Sequence, residues 1–336
     1  MATRKKQSKA EKLHERLTPG KFLGLSRIAR DGFFRILAID HRDSIKKLIS
    51  PSDPAEAKFG EILSKKQELL SILAPEASAF ILDPETILFP TIYSRLLSEK
   101  GVMASIEKTG YLENKAGRNT VLLKNWGVRK IKRSGADGVK LFVFYSPEYK
   151  RASRRAETLI RGLSKECRKE DILFLVEPLP YSLSEKKDSP EFARKKPELI
   201  IRTAERFSRL GIDILKTDFP CDLNYETDSE KALGHARALD EATTVPWILL
   251  SQGAHFNIFR KQIYLASKAG ASGYAVGRAV WQEAFSSSNF TGFLRNESLK
   301  RMREINNIVS ANARPVWEKV LKDDKSIFSD KYYQKY

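Results

Sequence analysis

The chain of 336 residues carries a formal charge of +18, with 41% apolar and 30% charged residues. These values fit a globular enzyme with one large core or two modest ones. No run of about 18 apolar residues occurs, and the basic N-terminus lacks the apolar region of a signal peptide, so we expect a cytoplasmic protein without a membrane span.

The positive charge favours nucleic acid, an anionic membrane or phosphorylated metabolites as partners. Part of it lies in residues 4–12, and much of the rest lies on predicted helix faces such as residues 150–161. No RNA-binding aromatic signature, zinc-finger spacing or basic-region helix accompanies it. We therefore expect a phosphorylated metabolite as ligand and no nucleic acid. Cys167 and Cys221 match neither a disulfide framework nor a metal-ligand spacing, which fits a reducing compartment.

Along the chain, apolar runs that end in polar residues alternate with amphipathic runs. Residues 1–20 are predicted to form a flexible basic arm, and residues 323–336 a polar and aromatic tail. The apolar runs are predicted strands at residues 33–40, 78–85, 102–107, 135–145, 171–179, 211–219, 246–253 and 270–278. Predicted helices with polar outer faces lie between them, for example at residues 54–73, 197–211 and 257–270.

Eight strands alternating with helices predict parallel β/α units. A single (β/α)8 TIM barrel over residues 21–322 fits the length. The alternative is an open doubly wound sheet, but no G-x-G-x-x-G follows the first strand, and polar residues end many strands rather than two neighbouring ones. Residues 108–127 and 180–197 are predicted loops on the strand-exit side, where loops of this length are often lids or binding loops.

Lys216 closes the predicted strand at residues 211–219, just after Ile214 and Leu215. An amine held by a buried strand is partly desolvated, which lowers the pKa of an amine and makes it nucleophilic, as a Schiff-base lysine requires. The alternative is a lysine that reaches solvent or pairs with Asp213 or Asp218.

Lys140 and Glu177 also interrupt apolar strands. A buried charge costs roughly several kcal/mol unless it is paired. Because the carboxyl ends of barrel strands converge, these residues and Lys216 are predicted to form a catalytic cluster in which a carboxylate moves protons beside the imine lysine. A structural salt bridge is the alternative.

Further polar residues and glycines end other strands: Asp40, His41, Asp83, Glu85, Glu107, Ser251, Gln252, Gly253, Gly277 and Arg278. Barrels often bind phosphate after the last two strands, through backbone N–H groups that glycine leaves accessible, and Arg278 would add charge-assisted bonds. For Gly253 and Gly277 the alternative is turn geometry alone. The histidines have no metal-ligand spacing, so no metal or other cofactor is expected.

Taken in order, ILAIDHRDSIKKL, SAFILDPE, GADGVKLFVFY, LVEPLPY, DILKTDFP, LLSQGA and GYAVGRAVWQEA resemble the class I tagatose-bisphosphate aldolases, whose relatives include the sulfofructose-phosphate aldolases. The resemblance covers residues 33–283. It implies a (β/α)8 barrel and metal-independent cleavage of a phosphorylated ketose through a lysine imine. D-tagatose 1,6-bisphosphate, giving dihydroxyacetone phosphate and glyceraldehyde 3-phosphate, is the implied substrate.

The resemblance also implies roles for single residues. It makes Lys216 the imine lysine, Glu177 and Lys140 the proton-transfer pair, and Asp40 a ligand of substrate hydroxyls. The implied ligands of the ketose 1-phosphate are Ser251, Gly253, Gly277 and Arg278. The relatives carry glutamine where this chain has His41, which faces the substrate hydroxyls, so the stereochemical preference at C3 and C4 stays open.

Two alternatives to this function remain. One is the same chemistry on a sulfonated or deoxy ketose 1-phosphate. The other is a non-catalytic barrel that binds a sugar phosphate or, through its basic arm, nucleic acid. A homo-oligomer is compatible with the sequence, which identifies no subunit interface.

Overall fold

The computed structural model describes residues 17–94, 96 and 99–320. A closed barrel of parallel strands forms its centre. The barrel strands are β1 (Phe34–Ala38), β2 (Ala79–Leu82), β3 (Gly101–Ser105), β6 (Gly138–Tyr145), β7 (Leu173–Pro180), β8 (Ile214–Thr217), β9 (Trp247–Leu250) and β10 (Gly273–Val276). Two short strands, β4 (Leu112–Asn114) and β5 (Gly117–Asn119), form a separate hairpin.

The strands pair around the barrel in the order β1-β10-β9-β8-β7-β6-β3-β2. Each barrel strand overlaps one of the eight predicted strands, so the (β/α)8 barrel is confirmed and the open-sheet alternative is wrong. The barrel strands are apolar along most of their length because helices cover their outer faces while their inner faces pack on one another.

The described helices follow the strands around the outside. They are Pro19–Ile28, Asp43–Ile49, Phe59–Leu73, Leu88–Tyr93, Val128–Arg133, Lys150–Lys169, Pro190–Phe207, Ser229–Ala242, Phe256–Ala269, Arg278–Trp281, Phe290–Phe293, Leu299–Asn312 and Val316–Val320. Within the described ranges, none of them is both long and apolar enough to cross a membrane.

The barrel interior is a layer of buried side chains closed at one end by the first helix. Leu25 and Ile28 of Pro19–Ile28 belong to the same apolar cluster as Ile36, Ile214 and Ile248 from the strands. Because side chains alternate along a strand, residues two positions beyond these interior positions also point inward. This fixes the direction of the polar side chains at the other end of the barrel.

The first helix begins inside the segment that the sequence assigns to the basic arm. The Gly20 N–H donates to Asp171 Oδ2 at 2.8 Å, and Lys21 Nζ lies 2.8 Å from Asp213. Residues 17–20 therefore belong to the fold, and the predicted boundary at residue 20 is corrected. Residues 1–16 of the predicted arm and the predicted tail at 323–336 lie outside the described residues.

The two predicted loops contain regular structure. Residues 108–127 include the antiparallel hairpin of β4 and β5. Residues 180–197 are a loop only as far as Ser189, because Pro190 occupies the first turn of a helix that Ser189 caps by accepting the Phe192 N–H at 3.2 Å. The prediction of one long loop there is wrong.

Candidate active site

Lys140 lies at the centre of a cluster of charges at the carboxyl ends of the strands. Its Nζ is 2.7 Å from Asp40 Oδ2 and 2.8 Å from Glu107 Oε1. A third carboxylate oxygen, Glu177 Oε2, is 3.3 Å away. Burial disfavours the charged amine, but the three carboxylates outweigh burial and hold the pKa of Lys140 well above its usual value. Lys140 is therefore a fixed positive charge.

Lys216 lies in the same cluster, with a single carboxylate partner among the described residues. Its side chain follows the interior position of Ile214 by two residues, so it points into the barrel. Only 5% of Lys216 is exposed, and its Nζ donates to Glu177 Oε2 at 2.9 Å. One oxygen of Glu177 thus contacts both lysines, so the structure brings Lys140, Glu177 and Lys216 together.

The alternative partners proposed for Lys216 are engaged elsewhere. Asp213 lies 2.8 Å from Lys21, and Asp218 lies 2.9 Å from Lys196. Lys216 is also too buried to extend to solvent. The pairing of Lys216 with Asp213 or Asp218 is therefore wrong.

Asp40 follows β1 and completes the cluster. It accepts hydrogen bonds from Lys140 at 2.7 Å and from Ser105 Oγ at 3.0 Å. Burial by itself raises the pKa of a carboxyl, but the charges of Lys140 and Lys216 reverse the effect and hold the pKa of Asp40 well below its usual range. Asp40 is thus an ionised acceptor, suited to a hydroxyl group at the barrel mouth.

His41 lies beside this cluster as a neutral ring. The pKa of His41 is lowered to about 3, mainly by burial; Asp40 opposes the lowering, and the cations Arg278, Lys216 and Lys66 add to it. The ring meets Trp281 edge to face, with centroids 5.2 Å apart. Its buried Nδ1 has no hydrogen-bond partner among the described residues. A neutral imidazole in this position can donate to, or accept from, a ligand hydroxyl.

The loop after β9 lies against the start of the segment after β10. Gln252 and Gly253 both have positive φ, at 50° and 76°, in a turn closed by the Ala254 N–H donating to the Ser251 carbonyl at 2.8 Å. A Cβ built on Gly253 would lie 3.2 Å from Cζ of Arg278. Glycine there lets the guanidinium approach the backbone closely.

Arg278 is a cation without a carboxylate partner in the described part of the chain. Its buried Nε–H donates to no acceptor there either. Burial lowers the pKa of Arg278, and the charges of Glu177 and Asp40 oppose that effect. The Ser251 side chain, 6% exposed, lies at the end of β9 on the same loop. Ser251, Gly253, Gly277 and Arg278 thus come together as the phosphate-binding hypothesis requires.

Sequence reasoning left out of the site three residues that the structure places in its support. Glu107 binds Lys140 and also accepts the Phe142 N–H at 3.1 Å. Ser105 holds Asp40, and Arg42 donates to the Glu107 carbonyl at 2.8 Å. The signal for Glu107 is a carboxylate directly after an apolar strand, whereas Glu177 was identified because it interrupts one.

Two other strand-end carboxylates belong to structural pairs. Asp83 binds Lys66, which is fully buried, and Glu85 lies 2.6 Å from Arg42. Lys66 has its own sequence signal, because it stands on the apolar face of Phe59–Leu73 with Ile62, Leu69 and Leu73. No group of three or more His, Cys, Asp or Glu side chains within the described ranges is arranged to hold a metal ion.

Comparison with known proteins shows which family this chain matches and which proteins are similar to it. The family model described as DeoC/LacD family aldolase matches residues 34–283. Tagatose 1,6-diphosphate aldolase 2 of Enterococcus faecalis is 31% identical over 324 residues, which cover 88% of this chain and 96% of the relative. The protein of the same name from Streptococcus pyogenes serotype M3 is 29% identical over 326 residues, covering 90% and 99%.

Solved structures of aldolases share the fold. A Schiff-base-forming fructose-1,6-bisphosphate aldolase matches with a TM-score of 0.57 at 21% identity, over 86% of this chain and 99% of that one. The fructose-bisphosphate aldolase of Plasmodium falciparum matches with a TM-score of 0.68 at 15% identity, over 88% and 95%. At these identities the likeness concerns the barrel alone.

Proposed function

The chain belongs to the DeoC/LacD family of aldolases, and from this premise we propose that it is a class I aldolase acting through an imine on Lys216. The observation that carries the proposal is the unequal pairing of the two buried lysines. Lys140 contacts three carboxylates and stays an ammonium ion, whereas Glu177 is the one carboxylate of the described residues that contacts Lys216. Lys216 is therefore the amine that can give up its proton to a neighbouring carboxylate and attack a carbonyl.

The first half of the reaction forms the imine. Lys216 transfers a proton to Glu177 across their 2.9 Å contact, and the free amine adds to the C2 carbonyl of the ketose. The carbinolamine then loses water, with Glu177 returning the proton to the departing hydroxyl. The product is a protonated imine, whose positive nitrogen is an electron sink.

The second half breaks the C3–C4 bond. Glu177 takes the proton of the C4 hydroxyl, the C4 oxygen forms the aldehyde carbonyl, and the electrons of the C3–C4 bond move into the imine to give an enamine. Protonation of the enamine at C3 and hydrolysis then release dihydroxyacetone phosphate and regenerate Lys216. Lys140, as a fixed cation near Glu177 Oε2, stabilises the carboxylate between proton transfers.

The remaining residues hold the ketose. Asp40 accepts from substrate hydroxyls, and His41 contacts the hydroxyls nearest C3 and C4. Ser251, the backbone at Gly253 and Gly277, and Arg278 bind the 1-phosphate. Arg278 supports this role because the described residues leave its guanidinium without a carboxylate, so a phosphate dianion would supply the missing charge.

The named activity of the curated relatives makes D-tagatose 1,6-bisphosphate our first substrate assignment. The aldolases that this chain resembles have glutamine where it has His41. Our second substrate assignment is therefore a ketose of different configuration, or one that carries a sulfonate or no oxygen at C6. Because phosphorylated sugars are charged and are retained inside cells, the proposal places the protein in the cytoplasm.

The test is borohydride reduction in the presence of dihydroxyacetone phosphate, followed by peptide mass spectrometry. We expect a reduced adduct on the peptide that contains Lys216, and its loss in Lys216→Met. Lys132→Met, a change in a lysine outside the cluster, is the matched control and should keep the adduct. An adduct on Lys140, or cleavage activity that survives in Lys216→Met, would contradict the proposal.

Substrate choice is tested separately. Cleavage rates are compared for the four 1,6-bisphosphates that differ in configuration at C3 and C4, and for 1-phosphates with sulfonate or hydrogen at C6. If D-tagatose 1,6-bisphosphate is cleaved fastest, the first substrate assignment is supported. If another of these sugar phosphates is cleaved fastest, that compound becomes the assigned substrate.

A further inference from the structure

A second cavity, here called the side cavity, lies near the carboxyl ends of β7, β8 and β9, between the helices Pro190–Phe207 and Phe256–Ala269. Its volume is about 360 Å³, within the range of roughly 300–1,000 Å³ that is usual for small-molecule sites. The polar side chains that matter here are Lys187, Lys196, Asp218, Asn224, Gln252 and Gln262. Lys140, Glu177, Lys216 and Arg278 are not among the lining residues, so the side cavity is separate from the catalytic cluster.

Gln262 is the strongest sign that the side cavity receives a ligand. It lies on Phe256–Ala269, is 6% exposed and lines the side cavity, so its amide can donate to and accept from a molecule held there. Its neighbours Phe259 and Ile263 are fully buried apolar residues, so a leucine at 262 would suit the helix better in the absence of a ligand.

The other wall of the side cavity carries a buried ion pair. Lys196 Nζ lies 2.9 Å from Asp218 Oδ2, and the two residues are 8% and 3% exposed. An amine and a carboxylate fixed side by side offer a donor and an acceptor to one hydroxyl group. Gln262 and Gln252 add amides, which can donate and accept in the same way. Phe192 and Ile258 supply apolar surface for the C–H groups of a ligand.

From this arrangement we infer that the side cavity binds a hydroxyl-rich small molecule, a sugar or polyol of about six carbons. Paired donors and acceptors around an apolar surface suit alternating hydroxyl and C–H groups. Lys187 is exposed at the rim and has no ion-pair partner among the described residues. It would contact a phosphate ester on such a molecule. A free polyol and its phosphate ester share this chemistry.

The side cavity and the proposed phosphate loop share a wall. Gly253 lines the side cavity, and a Cβ built on it would lie 3.2 Å from Cζ of Arg278. The loop therefore contacts the side cavity through Gly253 and packs against Arg278 of the proposed phosphate site, and we propose that the two sites are filled independently. This step rests on the proposed function, since it takes the Lys216 pocket as the one that binds the ketose.

The test uses enzyme whose Lys216 carries the reduced dihydroxyacetone phosphate adduct, so that the catalytic pocket is filled. Sorbitol and sorbitol 6-phosphate, which have no carbonyl group and form no imine, are titrated calorimetrically up to about 20 mM. We expect saturable binding of at least one of them, weakened tenfold or more in Gln262→Leu. Lys261→Leu, at the adjacent exposed position on the same helix, should bind as the unaltered enzyme does.

Two further measurements make the outcome decisive. The double variant Lys196→Met/Asp218→Asn removes the ion pair without leaving one charge buried alone, and it should also lose binding. Gln262→Leu should keep kcat of aldol cleavage and unfold at the same or a higher temperature, because it places an apolar side chain beside the buried Phe259 and Ile263. Lack of binding by both polyols, or binding unchanged in Gln262→Leu, overturns the inference. If no adduct forms on Lys216, the proposed function fails, and the same titrations on untreated enzyme still test the side cavity.

Discussion

Glu177 Oε2 accepts a 2.9 Å hydrogen bond from Lys216 Nζ and lies 3.3 Å from Lys140 Nζ. One carboxylate oxygen therefore contacts two buried lysines that differ in how many carboxylates surround them. The difference arises on the other side of Lys140, where Asp40 and Glu107 hold its charge.

Glu177→Gln should separate proton transfer from imine formation. The amide keeps a hydrogen-bonding group near Lys216 but cannot take the C4 hydroxyl proton, so we expect kcat for cleavage to fall by roughly 10²–10⁴-fold. Lys216 is intact, so borohydride should still trap some adduct. The matched control is Glu198→Gln, at a side chain that is 75% exposed and should leave kcat unchanged. A fall in kcat of less than tenfold would remove Glu177 from its assigned role.

Lys140→Met should destabilise the fold more than a single lysine normally does. Its removal leaves Asp40, Glu107 and Glu177 close together without the central cation, and breaking a buried ion pair costs about 3–5 kcal/mol. Chemical denaturation measures the loss. Adding Glu107→Gln to Lys140→Met removes one of the stranded charges and should restore part of the free energy of unfolding. An unfolding free energy unchanged in Lys140→Met would show that the cluster is already solvated.

Most barrel strands could be predicted from the sequence because each strand is a short apolar run with a polar end. Lys140, Glu177 and Lys216 were found because a charge in such a run has few explanations other than a buried pair at the barrel mouth. The sequence does not predict which charged side chain at a strand end pairs with which lysine or arginine. Asp83 and Glu107 both follow apolar strands, yet one binds Lys66 between a strand and a helix and the other binds Lys140 inside the barrel.

The segment after β7 shows a different limit. Its polar composition favours a loop, and Pro197 inside it argues against a helix. The structure forms a helix from Pro190 because the Ser189 cap and the proline in the first turn start it, and buried contacts of Phe192 and Ile200 stabilise it. The side cavity depends on this helix, so it could not be derived from the sequence.

Arg278→Ala should act on binding of phosphorylated substrate more than on the chemical steps. A hydrogen bond to a charged group is worth about 1.5–3 kcal/mol, so we expect KM for the ketose bisphosphate to rise roughly 10- to 150-fold with a smaller change in kcat. Steady-state kinetics measure both. Arg295→Ala, at an exposed position, is the control and should keep KM. An unchanged KM in Arg278→Ala would move the phosphate site elsewhere.

His41→Gln should alter how stability depends on pH. The pKa of His41 is about 3 in the folded protein against an ordinary 6.5, so between these values the unfolded chain binds a proton that the folded chain does not. Stability therefore falls as pH falls from about 6.5 toward 4, by about 1.4 kcal/mol per pH unit from this residue. The pKa of Asp40 is also lowered, but its contribution is lost only below its ordinary value of 3.8.

The measurement is the free energy of unfolding of both proteins at several pH values between 4 and 8. Glutamine does not titrate in this range, so the difference between the two proteins should shrink or reverse toward pH 4 and be constant above pH 7. His235→Gln, on the helix Ser229–Ala242, is the control for loss of a histidine as such. A difference that stays constant over the whole range would mean that the pKa of His41 is the same in the folded and the unfolded protein.

Gly277→Ala should reveal the contact between this position and His41. A Cβ at 277 would lie 2.6 Å from Cε1 of His41 and 3.1 Å from the Ala38 carbonyl oxygen, and the ring cannot retreat freely because its other contact is Trp281. Overpacking of this kind costs about 1–3 kcal/mol. We therefore expect Gly277→Ala to lower the free energy of unfolding by that amount.

The same substitution in a His41→Ala background should cost less than half as much, because the ring that obstructs the new methyl group is gone and only the Ala38 contact remains. A double-mutant cycle of unfolding free energies measures this coupling between positions 41 and 277. Gly292→Ala, on the short helix Phe290–Phe293, is the additive control, since its built Cβ meets Asn289 and not His41. Equal costs of Gly277→Ala in the two backgrounds would show that His41 does not occupy the space beside Gly277.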